Sequence, residues 1–215
     1  GNSFSGISLI GEKSERILMN FSFGVAMIWY EFIVSNDIKS NHIDGMSIKV
    51  SDYMNSYSIH PYSGNLNLYS GTIYANYING NGRYGISGTS QSNYSSLNSN
   101  SVISALQNDI SNNVVGGIFA DSSYSHPVIS YWNNFACNDI LLNGAGSKDG
   151  IRFNGTNIDN EFMEVASSNI IEGNNNGIFM VNVSPGVYPD SEIYYNYIGN
   201  NSIGILLSET NRVKV

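Results

Sequence analysis

Charge is scarce in this 215-residue chain: Asp, Glu, Lys and Arg make up 12% of it, about half the usual share. The nine basic residues are scattered, and against 17 acidic ones they leave a net charge of −8. Binding to a phosphate backbone needs clustered Lys and Arg, so nucleic acid is excluded as a partner. Cysteine occurs once, at Cys137, which excludes an intrachain disulfide. Its place between Phe135 and Asn138 reads as a small apolar filler of the interior. Long apolar runs are also missing. The most apolar stretch, residues 24–34, contains Glu31 and is too short and too polar to insert into a membrane. The three histidines, His42, His60 and His126, have no partner at metal-ligand spacing, so no metal site is expected of them. Sustained helical periodicity is absent outside residues 12–19.

What is present is a repeat. The pattern is Asn, any residue, an apolar residue, two more residues, then a second Asn. It occurs as Asn36…Asn41, Asn76…Asn81, Asn108…Asn113, Asn133…Asn138, Asn169…Asn174 and Asn196…Asn201. Gly plus an apolar residue follows closely in five copies: Gly45-Met46, Gly85-Ile86, Gly117-Ile118, Gly177-Ile178 and Gly204-Ile205. The fourth copy reaches Gly150-Ile151 after an insertion, and Gly6-Ile7 reads as the tail of a seventh unit. Repetition of this kind implies stacked units rather than one folded-back core.

The landmarks Ile7, Met46, Ile86, Ile118, Ile151, Ile178 and Ile205 are separated by 39, 40, 32, 33, 27 and 27 residues. Each interval accommodates three short strands and three turns, and the apolar clusters are punctuated by Gly, Asn and Ser. The fold expected is all-β: a right-handed parallel β-helix of about seven coils, each strand pairing with its equivalent one coil away. It forms one domain over 1–215, with 1–35 as an irregular first coil. An Asn amide both donates and accepts, so stacked Asn side chains can form ladders along the rod. Asn also tolerates the left-handed backbone of a tight corner, and the Ile two places on points into the core. The Gly before Ile is expected where the backbone bends.

The pattern Asn-x-Ile…Asn…Gly-Ile over about residues 33–215 resembles the parallel β-helix repeats of the pectate-lyase-like superfamily. That group includes NosD-like repeat proteins, polysaccharide lyases and bacteriophage tailspikes. The resemblance implies a fold more firmly than an activity.

Alternation along the strands places Ser8, Ser47, Ser87, Phe119, Arg152, Phe179 and Leu206 in one outward column. Lys49, Asp121, Asn154, Val181 and Ser208 fall in another. Enzymes of the resembled group carry acidic and basic residues on this sheet and its preceding loops. By that resemblance Asp121, Asp149 and Arg152 are the catalytic candidates, with Lys148 beside them for substrate. A glycosidase needs two carboxyls at set spacing, a lyase a base and a cation; ion pairing between Asp121 and Arg152 is the plainer reading.

Insertions cluster between each Gly and the next Asn, on one side of the rod, where repeat proteins often bind ligands. Those loops carry Tyr57, His60, Tyr62 and Tyr94, residues suited to stacking on and hydrogen-bonding sugars. The expected partner is therefore a polysaccharide or cell-surface glycan, met outside the cell or on a virion. No cofactor is expected, apart from Ca²⁺ as a candidate for the acidic set Asp159, Glu161, Glu164 and Glu172. The apolar outward residues Phe119, Phe179, Val181 and Leu206 suggest a homo-oligomer, trimeric or stacked end to end. Residues 212–215 read as the start of a further coil, as in a fragment or an assembled end. The alternatives are a non-catalytic adhesive or structural protein and a NosD-like periplasmic metal-handling protein.

Overall fold

A computed structural model describes residues 5–14, 30–53, 65–92, 98–124, 129–143, 149–155, 162–183, 191–210 and 212–215. All its regular structure is β. Sheet A joins β1 (Ile7–Ser14), β4 (Met46–Tyr53), β7 (Tyr84–Ser92), β10 (Gly116–Tyr124), β13 (Ile151–Asn154), β16 (Asn176–Val181) and β19 (Ile203–Ser208). Sheet B joins β2 (Tyr30–Val34), β5 (Asn65–Tyr74), β8 (Asn98–Leu106), β11 (Ile129–Ala136), β14 (Phe162–Ser167), β17 (Ser191–Tyr194) and β20 (Val213–Lys214). Sheet C joins six three-residue strands: β3 (Asp37–Lys39), β6 (Tyr77–Asn79), β9 (Asp109–Ser111), β12 (Asp139–Leu141), β15 (Ile170–Glu172) and β18 (Tyr197–Gly199). Every pairing is parallel and links one coil to the next, which defines a right-handed parallel β-helix. Glu12, Lys13 and Ser14, within the one stretch of helical periodicity, lie in β1.

Two Asn ladders run the length of the rod. One passes through Asn36, Asn76, Asn108, Asn138, Asn169 and Asn196. The other passes through Asn41, Asn81, Asn113, Asn143, Asn174 and Asn201. At a typical rung, both the backbone N–H and the Nδ2 of Asn108 donate to Asn138 Oδ1, at 3.0 and 2.9 Å. Nδ2 also donates backward, to Ile73 O at 3.0 Å. One buried amide thus ties three coils together, and leaving any of its groups unpaired would cost about 1–3 kcal/mol.

Three sequence expectations are corrected here. The fourth repeat copy is Asn138…Asn143, not Asn133…Asn138, because Asn133 lies in β11 and Asn138 sits in the ladder. Cys137 is consequently an exposed corner residue and not an interior filler. The left-handed conformation belongs to the residue before each ladder Asn, not to the Asn. Ser35, Ala75, Gln107, Cys137, Ser168 and Tyr195 hold φ between 53° and 56°. Their placement lets the corner N–H reach the next coil, as Cys137 N does to Ser167 O at 3.1 Å.

The glycine before the core Ile also has a different reason from a bend. A Cβ on Gly117 would lie 2.5 Å from Gly150 O and 2.7 Å from Ile140 Cγ2. Gly45, Gly85, Gly150 and Gly177 meet the equivalent atoms of the following coil. The coils close only where this side chain is missing. Inside, Ile38, Ile78, Ile110, Ile140 and Ile171 form one buried column, and Met46, Ile86, Ile118, Ile151 and Ile178 another. Phe135 takes a larger volume in its column and is flanked there by Ala105 and Ala166. It stacks on Phe153 across the core at 5.4 Å.

The two kinds of glycine are separable by mutation. Gly117→Ala is expected to lose about 3 kcal/mol, because backbone oxygen cannot move aside. Gly80, with φ +63° and open space around it, is expected to lose about 1 kcal/mol on the same change. Urea unfolding of the two variants checks this, and equal losses would contradict the coil-contact explanation.

Candidate functional site

The site is built on the outer face of sheet A and the corner where sheet C leads into it. In the register of β7, β10, β13, β16 and β19, Ser87, Phe119, Arg152, Phe179 and Leu206 stand in one column. Thr89, Asp121, Asn154, Val181 and Ser208 stand in the next. Both columns match the alternation expected from sequence. The position before each Gly supplies a third set: Asp44, Tyr84, Gly116, Asp149 and Asn176.

Of the catalytic candidates, Asp149 and Arg152 are brought into contact, with Arg152 Nη1 donating to Asp149 Oδ2 at 3.4 Å. Asp149 is 7% exposed, and its other oxygen accepts from Asn176 Nδ2 at 2.6 Å. Asp121 lies one coil back in the adjacent column and accepts from Asn154 Nδ2 at 3.0 Å. Lys148, Tyr57, His60, Tyr62 and Tyr94 fall outside the described residues. So do Asp159 and Glu161 of the acidic set, whereas Glu172 accepts from Asn200 Nδ2 at 3.2 Å. Among the described residues no group of three or more His, Cys, Asp or Glu is placed to hold a metal ion. Among the described residues there is no helix long and apolar enough to cross a membrane.

Aromatic faces frame the ion pair. The Arg152 guanidinium lies over the Phe179 ring, 4.8 Å from its centroid, a favourable cation–π placement. One coil back, Phe119 stacks on Tyr84 at 4.8 Å and 15°. Gly116 makes that stack possible, since a Cβ there would lie 3.1 Å from the Tyr84 ring. These mutual contacts leave Phe119, Arg152 and Phe179 half-buried rather than freely exposed. Three coils before Arg152, the fully buried Asp44 carboxylate receives Arg83 of the next coil through two hydrogen bonds, one of them Nε to Oδ1 at 2.8 Å. The Arg83 guanidinium also sits 5.7 Å from the Tyr84 centroid.

Tyr84, Asp44, Arg83 and Asn176 were not visible as site residues in sequence. The usable signal was the position before each Gly, which holds Asp, Tyr, Asp and Asn among otherwise small or apolar residues. Chemically, the arrangement offers a guanidinium laid over an aromatic ring, with carboxylates and amides alongside. Both oxygens of Asp149 are engaged, Oδ2 by Arg152 and Oδ1 by Asn176, and Asp121 is engaged by Asn154. Two polar atoms at the centre, Arg152 Nε and Asn176 Oδ1, are buried without a hydrogen-bond partner, an arrangement costly to folding and informative where it persists. No family model, curated protein or solved structure matches the chain.

Burial pushes the Tyr84 phenol above its ordinary pKa, and the nearby Arg152 and Arg83 charges pull the other way. The folded state therefore keeps this proton at a pH where the unfolded state has lost it. Its contribution to stability is complete below the ordinary tyrosine pKa of about 10 and declines as pH rises through it. Between about pH 9 and about pH 11, Tyr84→Phe is expected to lose stability to urea less steeply than the parent protein. Parallel declines would show that the ring is not buried in solution.

Proposed function

We propose that this chain is a β-helix of the pectate-lyase-like kind, working outside the cell or on a virion, that recognises polysaccharide along the outer face of sheet A. The observation that carries this reading is the Phe119–Arg152–Phe179 column, with Tyr84 stacked on Phe119 and Asp149 and Asn176 beside it. Flat aromatic faces suit the C–H faces of sugar rings, and the guanidinium and amides suit hydroxyls or a uronate. Equivalent positions recur at the coil spacing of about 4.8 Å, so an extended chain can meet successive coils with successive residues. Cleavage, if the protein performs it, falls to Asp121 as the proton-transferring carboxylate, with Arg152 stabilising negative charge.

A non-catalytic protein that assembles with copies of itself is the second reading. The apolar outward residues Phe179 and Val181 on the same sheet favour it.

The test uses substitutions that the fold already accepts. Ser47 and Ser87 occupy the Phe119 column in earlier coils, so a Phe119→Ser, Phe179→Ser double variant should fold. Its retention on whichever polysaccharide binds the parent protein is expected to drop roughly tenfold, from two aromatic contacts of about 0.5–1.5 kcal/mol each. Release of new reducing or unsaturated ends, where present, should vanish in Asp121→Asn. A parent protein that binds no polysaccharide, or a double variant that binds equally well, would remove the reading. Sedimentation as an oligomer in that case would favour the assembly alternative.

A further inference from the structure

One corner of the rod carries a feature the sheet A site does not explain. Where β17 passes into β18, three tyrosines point outward within four residues: Tyr194, Tyr195 and Tyr197, exposed by 42%, 87% and 58%. Tyr194 and Tyr195 meet edge to face at 5.4 Å and 77°. Tyr197 lies over Gly199, where a Cβ would fall 2.9–3.1 Å from the ring, and pairs in register with the exposed Ile170 of the preceding coil.

Tyr195 is the informative member. It holds the left-handed corner, with φ 56°, a conformation that costs a bulky residue about 1 kcal/mol or more. The five earlier coils fill this corner with Ser35, Ala75, Gln107, Cys137 and Ser168. A nearly fully exposed ring gains little from burial to offset that strain. The side chain therefore costs the fold something and returns little to it, the pattern expected of a residue kept for a contact outside the chain.

We infer that this corner is a second carbohydrate platform, selective for neutral glycans; the inference rests on the polysaccharide reading above. Tyrosine offers a large rigid face with little rotamer entropy to lose, and a hydroxyl at its edge. The flanking groups are the exposed Ser168, the Asn200–Glu172 hydrogen bond, and Glu192 paired with Lys214 at 3.9 Å. They provide donors and acceptors but no free basic patch among the described residues. With a net charge of −8, the protein repels polyanions, which disfavours uronates and nucleic acid at this corner despite the stacking faces. Three rings on one coil also fall well short of the roughly 800 Å² per partner of a stable protein interface.

Native electrophoresis in gels cast with dextran, laminarin, galactomannan or polygalacturonate tests the inference. The variants are Tyr194→Ser and Tyr195→Ser, which copy Ser167 and Ser168 of the preceding coil. At least one neutral polysaccharide is expected to retard the parent protein. Each substitution should weaken that retardation roughly three- to tenfold, with no drop in urea midpoint for Tyr195→Ser. Retardation indifferent to both substitutions, yet lost in the Phe119→Ser, Phe179→Ser variant, would overturn the corner and leave the sheet A reading intact. No retardation in any gel would overturn both. Retardation by polygalacturonate alone, a lowered midpoint for Tyr195→Ser, or a dimer that this substitution dissociates would each overturn the corner platform.

Discussion

Everything in this molecule hangs on one side-chain hydrogen bond, repeated: an Asn amide that donates to the Asn of the next coil and accepts from the Asn of the last. A parallel strand pair satisfies its backbone along the strands but leaves the corners unpaired. The ladders at Asn36–Asn196 and Asn41–Asn201 close those gaps, because an Oδ1 such as that of Asn138 or Asn143 takes both a backbone and a side-chain N–H from its neighbour. A buried amide in mid-ladder has no solvent to fall back on, so any rung that slips exposes unpaired groups on three coils at once. The ladder therefore sets register as well as stability.

Register in turn dictates the rest of the unit. With Asn fixed inward at each corner, the preceding residue must take positive φ, and the coil must approach its neighbour closely at the next corner. Gly85, Gly117, Gly150 and Gly177 meet that second demand by having no side chain to collide with Gly O, Ile Cγ2 and Asn Nδ2 of the following coil. Two residue types thus answer two different constraints. The strained corner accepts Ser, Ala, Gln, Cys or Tyr at a modest cost, whereas the close approach accepts Gly in six consecutive coils.

This division explains which features could be read from sequence. The Asn–Ile–Asn spacing and the Gly-Ile landmarks are imposed by contacts between coils, so they recur, and they disclosed the fold, the coil count and the outward columns. The error at Asn133 arose because the same five-residue spacing occurs by chance one corner early, where Phe135 imitates the core Ile. Only the ladder partners Asn108 and Asn169 distinguish the true rung. The cluster around Tyr84 was hidden for a different reason. The contacts that build it join residues far apart in sequence: 39 positions for Asp44–Arg83, 35 (119 − 84) for Tyr84–Phe119 and 27 for Asp149–Asn176. No local pattern marks a ring that fills the space left by a glycine one coil away, as Tyr84 does over Gly116.

The same logic separates scaffold from function. A solenoid needs its inward positions to repeat and places no such demand on its outward ones. Outward positions that merely solvate the rod should drift among Ser, Thr, Asn and charged residues, as Ser47, Thr89 and Asn154 do. Departures that carry a cost are different. An Arg with a buried Nε lacking a partner, an ion pair sunk at Asp44, and a tyrosine held out at a left-handed corner each make folding harder than a serine would. These departures occupy two separate places, the outer face of sheet A and the corner between sheets B and C. The ladders fix the backbone under both, so a ligand of the kind proposed would meet groups already in position, and little binding energy would be spent on ordering them.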